Sequence, residues 1–398
     1  MIFLSITENI LYFITGFGIL QGIILAGLLH FHPKSDRSVN KFLAFYVFCI
    51  SAVMTMPVMI NAVGWKNSYF LMPIPLLPGI FLYFYVISFK KTITWRKALP
   101  HFVIVVIVFF LAYWNLSAIA RIYPDAKEIP PEGLKRPITL SVVLIRAVQQ
   151  FIYFFLCRRA LNTYQRSIRQ LFSETSRLDL NWIRFLINGF IIITSTFLVI
   201  FPLLIRFPEY FNSLLLANMA IATPYIYIAT VKGILQPTIW QVKPEIKKET
   251  VEKQIKVVEQ IAYAGNSEKP KLFKAGLPDD KMEEIAKKII NLMESEKLYQ
   301  EPELTLQQLA DKLQLLPYQV SQAINEGMKK SFYDLVNGYR VEKAKNLLMD
   351  VKNKNYTILS VGFEAGFNSK TTFNTVFKKF TGLTPTEYRD KERISIAV

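Results

Sequence analysis

The residues best suited to chemistry lie near the C-terminus, in the run Ser369-Lys370-Thr371-Thr372-Phe373-Asn374-Thr375. Hydroxyls, an amide and an ammonium are the groups that bond base edges and phosphate oxygens. Ser369 can cap a helix, and Phe373, Phe377 and Phe380 follow at helical spacing, so all three are expected to face a core. Lys370, Thr371, Thr372, Asn374 and Thr375 then fall near the exposed N-terminal part of that helix, where a reading helix meets bases. Lys378 and Lys379 are placed for phosphates, which give affinity without sequence information.

A second constellation centres on Arg146, in the middle of the apolar run ITLSVVLIRAVQQFIYFF, with Gln149 and Gln150 close by. A charge at that depth is expensive and faces a partner or a wet cavity. No Asp or Glu lies deep in any apolar run, and Gln21, Asn188 and Asn218 are the candidate neighbours. Two readings stay open. Arg146, with Gln149, binds an anionic or carbonyl-bearing ligand, or it bonds backbone carbonyls and snorkels.

Other chemistry is poorly supplied. His30, His32 and His101 sit at ends of apolar runs and do not cluster with carboxylates. Cys49 and Cys157 lie inside apolar runs and give neither a disulfide framework nor metal-ligand spacing. The chain has no HExxH, no Gly-rich phosphate loop and no Ser/His/Asp set. No catalytic residue, metal site or cofactor is expected, and the chain does not read as an enzyme.

The elements that must position these residues fall into two halves. Of 398 residues, 52% are hydrophobic and 14% aromatic, and the mean hydropathy is +0.27. That is high for a globular protein in water and points to a lipid-embedded part. Apolar runs at 9–31, 42–62, 68–89, 98–120, 138–157, 183–205 and 211–231 each approach the ~20 residues that a helix needs to cross a bilayer. The first does not read as a cleaved leader, because it is long and lacks a basic start. Pro57, the Pro73/Pro75/Pro78 group, Pro202 and Pro224 should kink their helices. A bundle of bent helices, or a kinked cavity for a ligand, would follow.

Charge gives the orientation. Residues 1–235 hold 21 Lys/Arg against 8 Asp/Glu, whereas 236–398 hold 26 against 22, so most of the net +17 belongs to the apolar half. Lys34, Arg37 and Lys41, then Lys90, Lys91, Arg96 and Lys97, then Arg158, Arg159, Arg166, Arg169 and Arg177 crowd alternate connections. Basic connections face the cytoplasm. The N-terminus is thus expected outside and the C-terminal half inside. The high net charge is chiefly a topology signal, not a nucleic-acid signal.

Residues 236–275 are charged and proline-punctuated, and Val251, Ile255, Val258 and Ala262 line one side of a helix. Such a helix is either a solvated connector or a short coiled-coil seam that would pair two chains. From Pro278 the pattern is short helices. Asp279 and Asp280 open the first, Thr305 with Gln308 forms a capping box, and Pro317 suits a first turn. A longer helix over about 331–350 precedes a second pair, of which 357–365 ends at Gly366. Each pair has the shape of a helix-turn-helix.

The run VGFEAGFNSKTTFNTVFKKFTGLTPTEYR, together with YRVEKAKNLL upstream, resembles the C-terminal signature of the AraC/XylS family of bacterial transcription regulators. The resemblance spans about 278–390. It implies two helix-turn-helix units bridged by a helix and entering adjacent major-groove segments. It makes Tyr318, Gln319, Gln322 and Asn325 the contact candidates of the first unit, and Ser369, Lys370, Thr371, Thr372 and Asn374 those of the second. Phe363, Gly366, Phe367, Phe373 and Pro385 look structural by the same resemblance. Three positions depart from it. Leu316 stands where a capping Ser is usual, which removes about 1 kcal/mol; Gln314 replaces a turn Gly, and Thr375 a basic residue. The first unit is expected to be the weaker reader.

The expected fold is all-α: a polytopic seven-helix transmembrane bundle (1–235), a charged linker (236–275) and a cytoplasmic domain of two helix-turn-helix units joined by a bridging helix (276–398). The expected function is a membrane-embedded, sequence-specific DNA-binding transcription regulator in a bacterial inner membrane. Its partners would be double-stranded DNA, the lipid bilayer, a small-molecule or membrane signal and, if the linker seam pairs, a second copy of the chain. The competing readings are a membrane transporter or enzyme with a regulatory DNA-binding tail, and a regulator merely anchored by its helices.

Overall fold

The computed structural model describes residues 2–31, 37–89, 93–126, 129–175, 181–207, 210–234, 277–350 and 356–396. All regular elements among them are helical, as expected. The linker at 236–275, with its Val251–Ala262 stripe, lies outside the described residues. The chain divides into two compact units, Met1–Asn162 with Leu180–Pro244, and Thr163–Asp179 with Glu245–Val398.

The first unit holds α1 (Ile2–Phe31), α2 (Arg37–Met54), α3 (Met56–Val63), α4 (Leu77–Ser88), α5 (Trp95–Ala98), α6 (Val103–Ile122), α7 (Pro131–Leu134), most of α8 (Pro137–Leu171), α9 (Asn181–Arg206) and α10 (Phe211–Ile234). Among the described residues, five helical stretches are long and apolar enough to cross a bilayer, and two shorter apolar helices, Asn40–Met54 and Ser213–Ala229, accompany them. The seven apolar runs are thus largely helical, with turns at Thr55 and at 71–73. Prolines explain where they break. Pro57 follows the interruption at Thr55 that separates α2 from α3, and Pro73, Pro75 and Pro78 leave Trp65–Phe70 and Ile74–Leu76 as 3₁₀ turns before α4. Pro202 and Pro224 are carried inside α9 and α10.

Small residues bring these helices together. A Cβ on Gly22 would meet Ser51 Oγ at 1.9 Å, and one on Gly189 would meet Tyr225 at 2.0 Å. Close approach of this kind is how helices associate when lipid removes the hydrophobic drive. Tyr46 and Tyr225 share a 2.6 Å hydroxyl bond, and Tyr225 donates to Leu186 O at 3.1 Å. The outward surface is apolar: Phe13, Trp114 and Val199 are 76%, 71% and 69% exposed.

One boundary differs from expectation. The connection expected at 158–182 is helical as far as Leu171, because α8 runs 35 residues without a break. Its last turns and the following segment belong to the second unit.

That second unit adds α11 (Asp279–Glu294), α12 (Leu306–Leu313), α13 (Pro317–Gln322) with a π turn over Ala323–Gly327, α14 (Phe332–Met349), α15 (Ile358–Glu364), α16 (Lys370–Thr381) and α17 (Pro385–Ile396). Local chemistry sets the starts. Thr305 Oγ1 accepts from Gln308 N at 3.2 Å while Gln308 Oε1 accepts from Thr305 N at 2.8 Å. Ser331, Thr357 and Ser369 cap α14, α15 and α16 with the side-chain oxygen alone, accepting from Asp334 N, Ser360 N and Thr372 N. Gln314 ends α12 at φ 55°, a left-handed conformation that costs a non-glycine residue about 1 kcal/mol.

Val341, Ala344, Val361, Phe367, Phe373, Val376 and Phe377 form the second core, where each large side chain contributes about 1.5–3 kcal/mol by leaving water. Phe380, expected in that core, is 42% exposed. It belongs to the last turn of α16, and its ring comes close to Gly338 of α14. Phe363, which looked structural, is 52% exposed.

Gly366 sits at φ +95°, and a Cβ there would lie 2.7 Å from both Gln300 Cα and Tyr299 O. The obstacle is backbone and cannot move aside. Gly366→Ala should destabilise this unit by about 3 kcal/mol, combining left-handed strain with overpacking. Hydrogen exchange should show the α16 amides losing about a hundredfold of their protection.

Candidate functional site

The exposed side of α16 is a polar stripe. Lys370, Thr371, Thr375 and Lys378 are exposed and Asn374 is half-buried. These residues recur at spacings of three and four, so they share one face. Ser369 and Thr372 are differently placed. Ser369 Oγ accepts from Thr372 N at 3.1 Å and donates to Thr372 Oγ1 at 2.9 Å, which makes it the cap. Thr372 is 8% exposed, and its hydroxyl donates to Glu174 Oε1 at 3.3 Å.

Of the two lysines expected on phosphates, Lys378 is exposed, whereas Lys379 pairs with Asp334 at 2.6 Å. Burial pushes the Asp334 carboxyl up, but the bonds from Lys379 and Ser331 outweigh it and hold the group below its usual value.

The first unit's candidates are mostly engaged internally. Gln319 Oε1 accepts from Leu316 N at 3.0 Å, the reciprocal half of a capping box whose other half an apolar Leu316 cannot supply. Gln322 accepts from Leu277 N at 3.3 Å and donates to Glu326 at 2.9 Å. Asn325 donates to Ser321 Oγ at 3.1 Å, and Tyr318 is half-buried. Segment 317–327 carries no Lys or Arg; the exposed Lys329 and Lys330 just beyond it are cations that the reading of motifs passed over.

Arg340 is the other residue missed. It is fully buried in α14. Its Nε donates to Tyr299 O at 2.7 Å, Nη1 to Asn337 Oδ1 at 3.2 Å, and Nη2 to Glu301 O at 2.7 Å, Pro302 O at 3.2 Å and Ser173 Oγ at 3.2 Å. Its guanidinium carbon lies 5.7 Å from the ring centre of Phe367, in the second unit's turn. Burial lowers its pKa to about 10, with Glu174, Tyr333 and Glu301 opposing, so it stays cationic at neutral pH. One side chain therefore ties the approach to α12, the bridging helix and the turn before α16.

In the first unit a cavity of about 140 Å³ is lined by apolar side chains with Asn115, Thr139 and Arg146. Asn115 donates to Thr139 Oγ1 at 2.7 Å, and that hydroxyl donates to Gly133 O at 2.7 Å. The Arg146 guanidinium carbon lies 4.2 Å from the Phe197 ring centre, and Arg146 Nε and Asn115 Oδ1 are buried without hydrogen-bond partners among the described residues. A smaller cavity of about 40 Å³ also touches Arg146, with Gln150 and Asn218. Gln149 lines neither of these two cavities; its amide donates to Leu76 O at 3.0 Å. Nor do Gln21 and Asn188, the other neighbours expected for Arg146.

Arg340→Lys leaves most of these carbonyl oxygens without a donor, which should cost about 3 kcal/mol. Hydrogen exchange would show α12 and α16 losing protection together. Ser369→Ala removes only a cap and should lower α16 alone by about 1 kcal/mol.

Compared with known families, residues 309–391 match the family described as a helix-turn-helix domain. The match runs from within α12 to within α17 and supports an AraC/XylS-like DNA-binding domain in this part of the chain. No characterised protein and no solved structure matches the chain. The C-terminal unit accordingly carries a helix-turn-helix domain of the DNA-binding kind found in transcription regulators.

Proposed function

We propose that the protein is a membrane-embedded transcription regulator that couples a signal at a bacterial inner membrane to promoter binding. The observation that carries this reading is the joining, in one chain, of a helix-turn-helix domain with helices, five among the described residues, that are long and apolar enough to span a bilayer. The basic connections support an outside N-terminus and a cytoplasmic C-terminal unit. In this reading, Lys370, Thr371, Asn374 and Thr375 meet base edges and Lys378 meets phosphate, with Tyr318, Lys329 and Lys330 serving the first unit's half of the site.

Arg146 is the proposed signal-binding residue. Its unpartnered Nε beside an apolar cavity fits a ligand with one anionic or carbonyl group and an apolar body.

The full chain in lipid nanodiscs should select a sequence from random duplexes at about 150 mM salt, a condition that must be fixed because phosphate contacts are salt-dependent. Lys370→Ala with Thr371→Ala should weaken the selected site by about 1–3 kcal/mol per lost base contact and relax its sequence preference. Lys378→Ala should weaken all sequences alike and reduce the salt slope by about 1. Binding that appears only at low salt, without sequence preference, would refute the regulator reading.

For the signal, Arg146→Gln should leave DNA affinity of the unstimulated chain unchanged and abolish regulation of a reporter driven by the selected site. An unaltered reporter response at equal membrane level would remove Arg146 from the sensory role.

A further inference from the structure

The segment that follows α8 is built into the DNA-binding unit. Phe172 forms an antiparallel bridge with Thr305. Ser173 donates to Leu304 O twice, through N at 3.2 Å and through Oγ at 2.7 Å. Asn337 Nδ2 donates to Ser173 O at 2.9 Å, and Arg340 Nη2 to Ser173 Oγ at 3.2 Å. Phe172, Ser173 and Glu174 are all buried. Arg169, a turn earlier, lies with its guanidinium carbon 5.5 Å from the Tyr333 ring centre. Every backbone polar group of Ser173 has a partner in the domain, so the seat is specific in shape and in hydrogen bonding, beyond apolar collapse alone.

The seat coincides with two helix starts. Thr305 is the cap of α12, and Thr372, which holds the Glu174 carboxylate, is in the first turn of α16. First turns of helices favour anions and are where helix-turn-helix domains receive DNA phosphates. Glu174 therefore brings a negative charge, on a carboxylate of phosphate-like chemistry, to the opening turn of the reading helix.

We propose that residues 163–175 are a strap whose docked form opposes DNA binding, with Glu174 competing against DNA phosphate at the start of α16. The proposal rests on the DNA-binding function above. Docking adds like charge against an incoming duplex and engages Thr372. Undocking frees the helix start. The strap is also the continuation of the helix that carries Arg146. Arg146 and Leu171 both belong to α8. A ligand that shifts α8 has a direct covalent route to the strap.

A reversible lock tests this. Residues paired across an antiparallel bridge have Cα atoms about 4.5–5.5 Å apart, within disulfide range. Phe172→Cys with Thr305→Cys in the full chain, in nanodiscs, should therefore form a disulfide on mild oxidation; the native Cys49 and Cys157 are buried and do not compete. The oxidised protein should bind the duplex selected by the parent chain at least tenfold more weakly than the same protein after reduction. Glu174→Gln, which keeps the shape and removes the charge, should bind it several-fold more tightly than the parent. A locked form that binds as tightly as the reduced form overturns the proposal, as does a Glu174→Gln chain that binds no tighter, or a pair that fails to cross-link. Absence of DNA binding in every form, the reduced one included, would instead overturn the DNA-binding function itself and this proposal with it.

Discussion

Burying a guanidinium is costly unless its donors are matched, and each nitrogen of Arg340 has a partner: three backbone carbonyls, the Asn337 amide oxygen and the Ser173 hydroxyl. The consequence is architectural. Tyr299 lies in a single 3₁₀ turn, Leu298–Gln300, and Glu301 and Pro302 follow it, so these carbonyls lie outside any longer helix and a fork of donors satisfies them. That fork comes from α14, and its aromatic neighbour Phe367 comes from the second helix-turn-helix unit. Gly366 presses backbone to backbone against the same turn. The two units are thus interlocked at 299–302, through a charge on one side and the absence of a Cβ on the other. Neither can rotate against its partner without breaking buried hydrogen bonds.

This interlock bears on how the unit could respond to a signal. A pair of reading helices held in fixed register leaves little room for internal adjustment, so regulation is more economically achieved from outside the pair, by what covers it. The segment after α8 contributes Ser173 to the same Arg340 cluster and Glu174 to the start of α16. It therefore bonds elements of both units at once without being part of either.

What the sequence made legible was local. Capping by Thr305 and Ser369, the stop at Gly366 and the first-turn Pro317 depend on residues within a few positions of one another, and they stand where expected. The apolar runs were legible for a similar reason, since length and composition alone decide them. Long-range partnerships were not. Gln322 is engaged by Leu277, 45 positions away, and Thr372 by Glu174, 198 positions away; no spacing rule reaches that far. Arg340 was hidden because an arginine in YRVEKAKNLL, among lysines and a glutamate, reads as part of a solvated face. Phe380 misled in the opposite sense: helical spacing places a side chain on a face but does not say where along the helix the neighbouring core ends.

The basic connection at 158–182 shows how one set of charges can serve two ends. Its arginines mark orientation by their place between apolar runs. Yet α8 continues through it to Leu171, and Arg169 stacks on Tyr333. A helix that carries one buried cation, Arg146, in its apolar part and reaches the reading domain at its far end is mechanically unlike a tether. The cavity beside Arg146 places a polar demand that the described protein atoms leave unmet at Nε. A ligand that satisfied it would bind one arrangement of α8 better than another, and differential affinity of that kind is the only means by which binding can shift a conformational equilibrium. Sensing and reading would then be two ends of a single helix, and the charge that orients the chain would also be the charge that seats the strap.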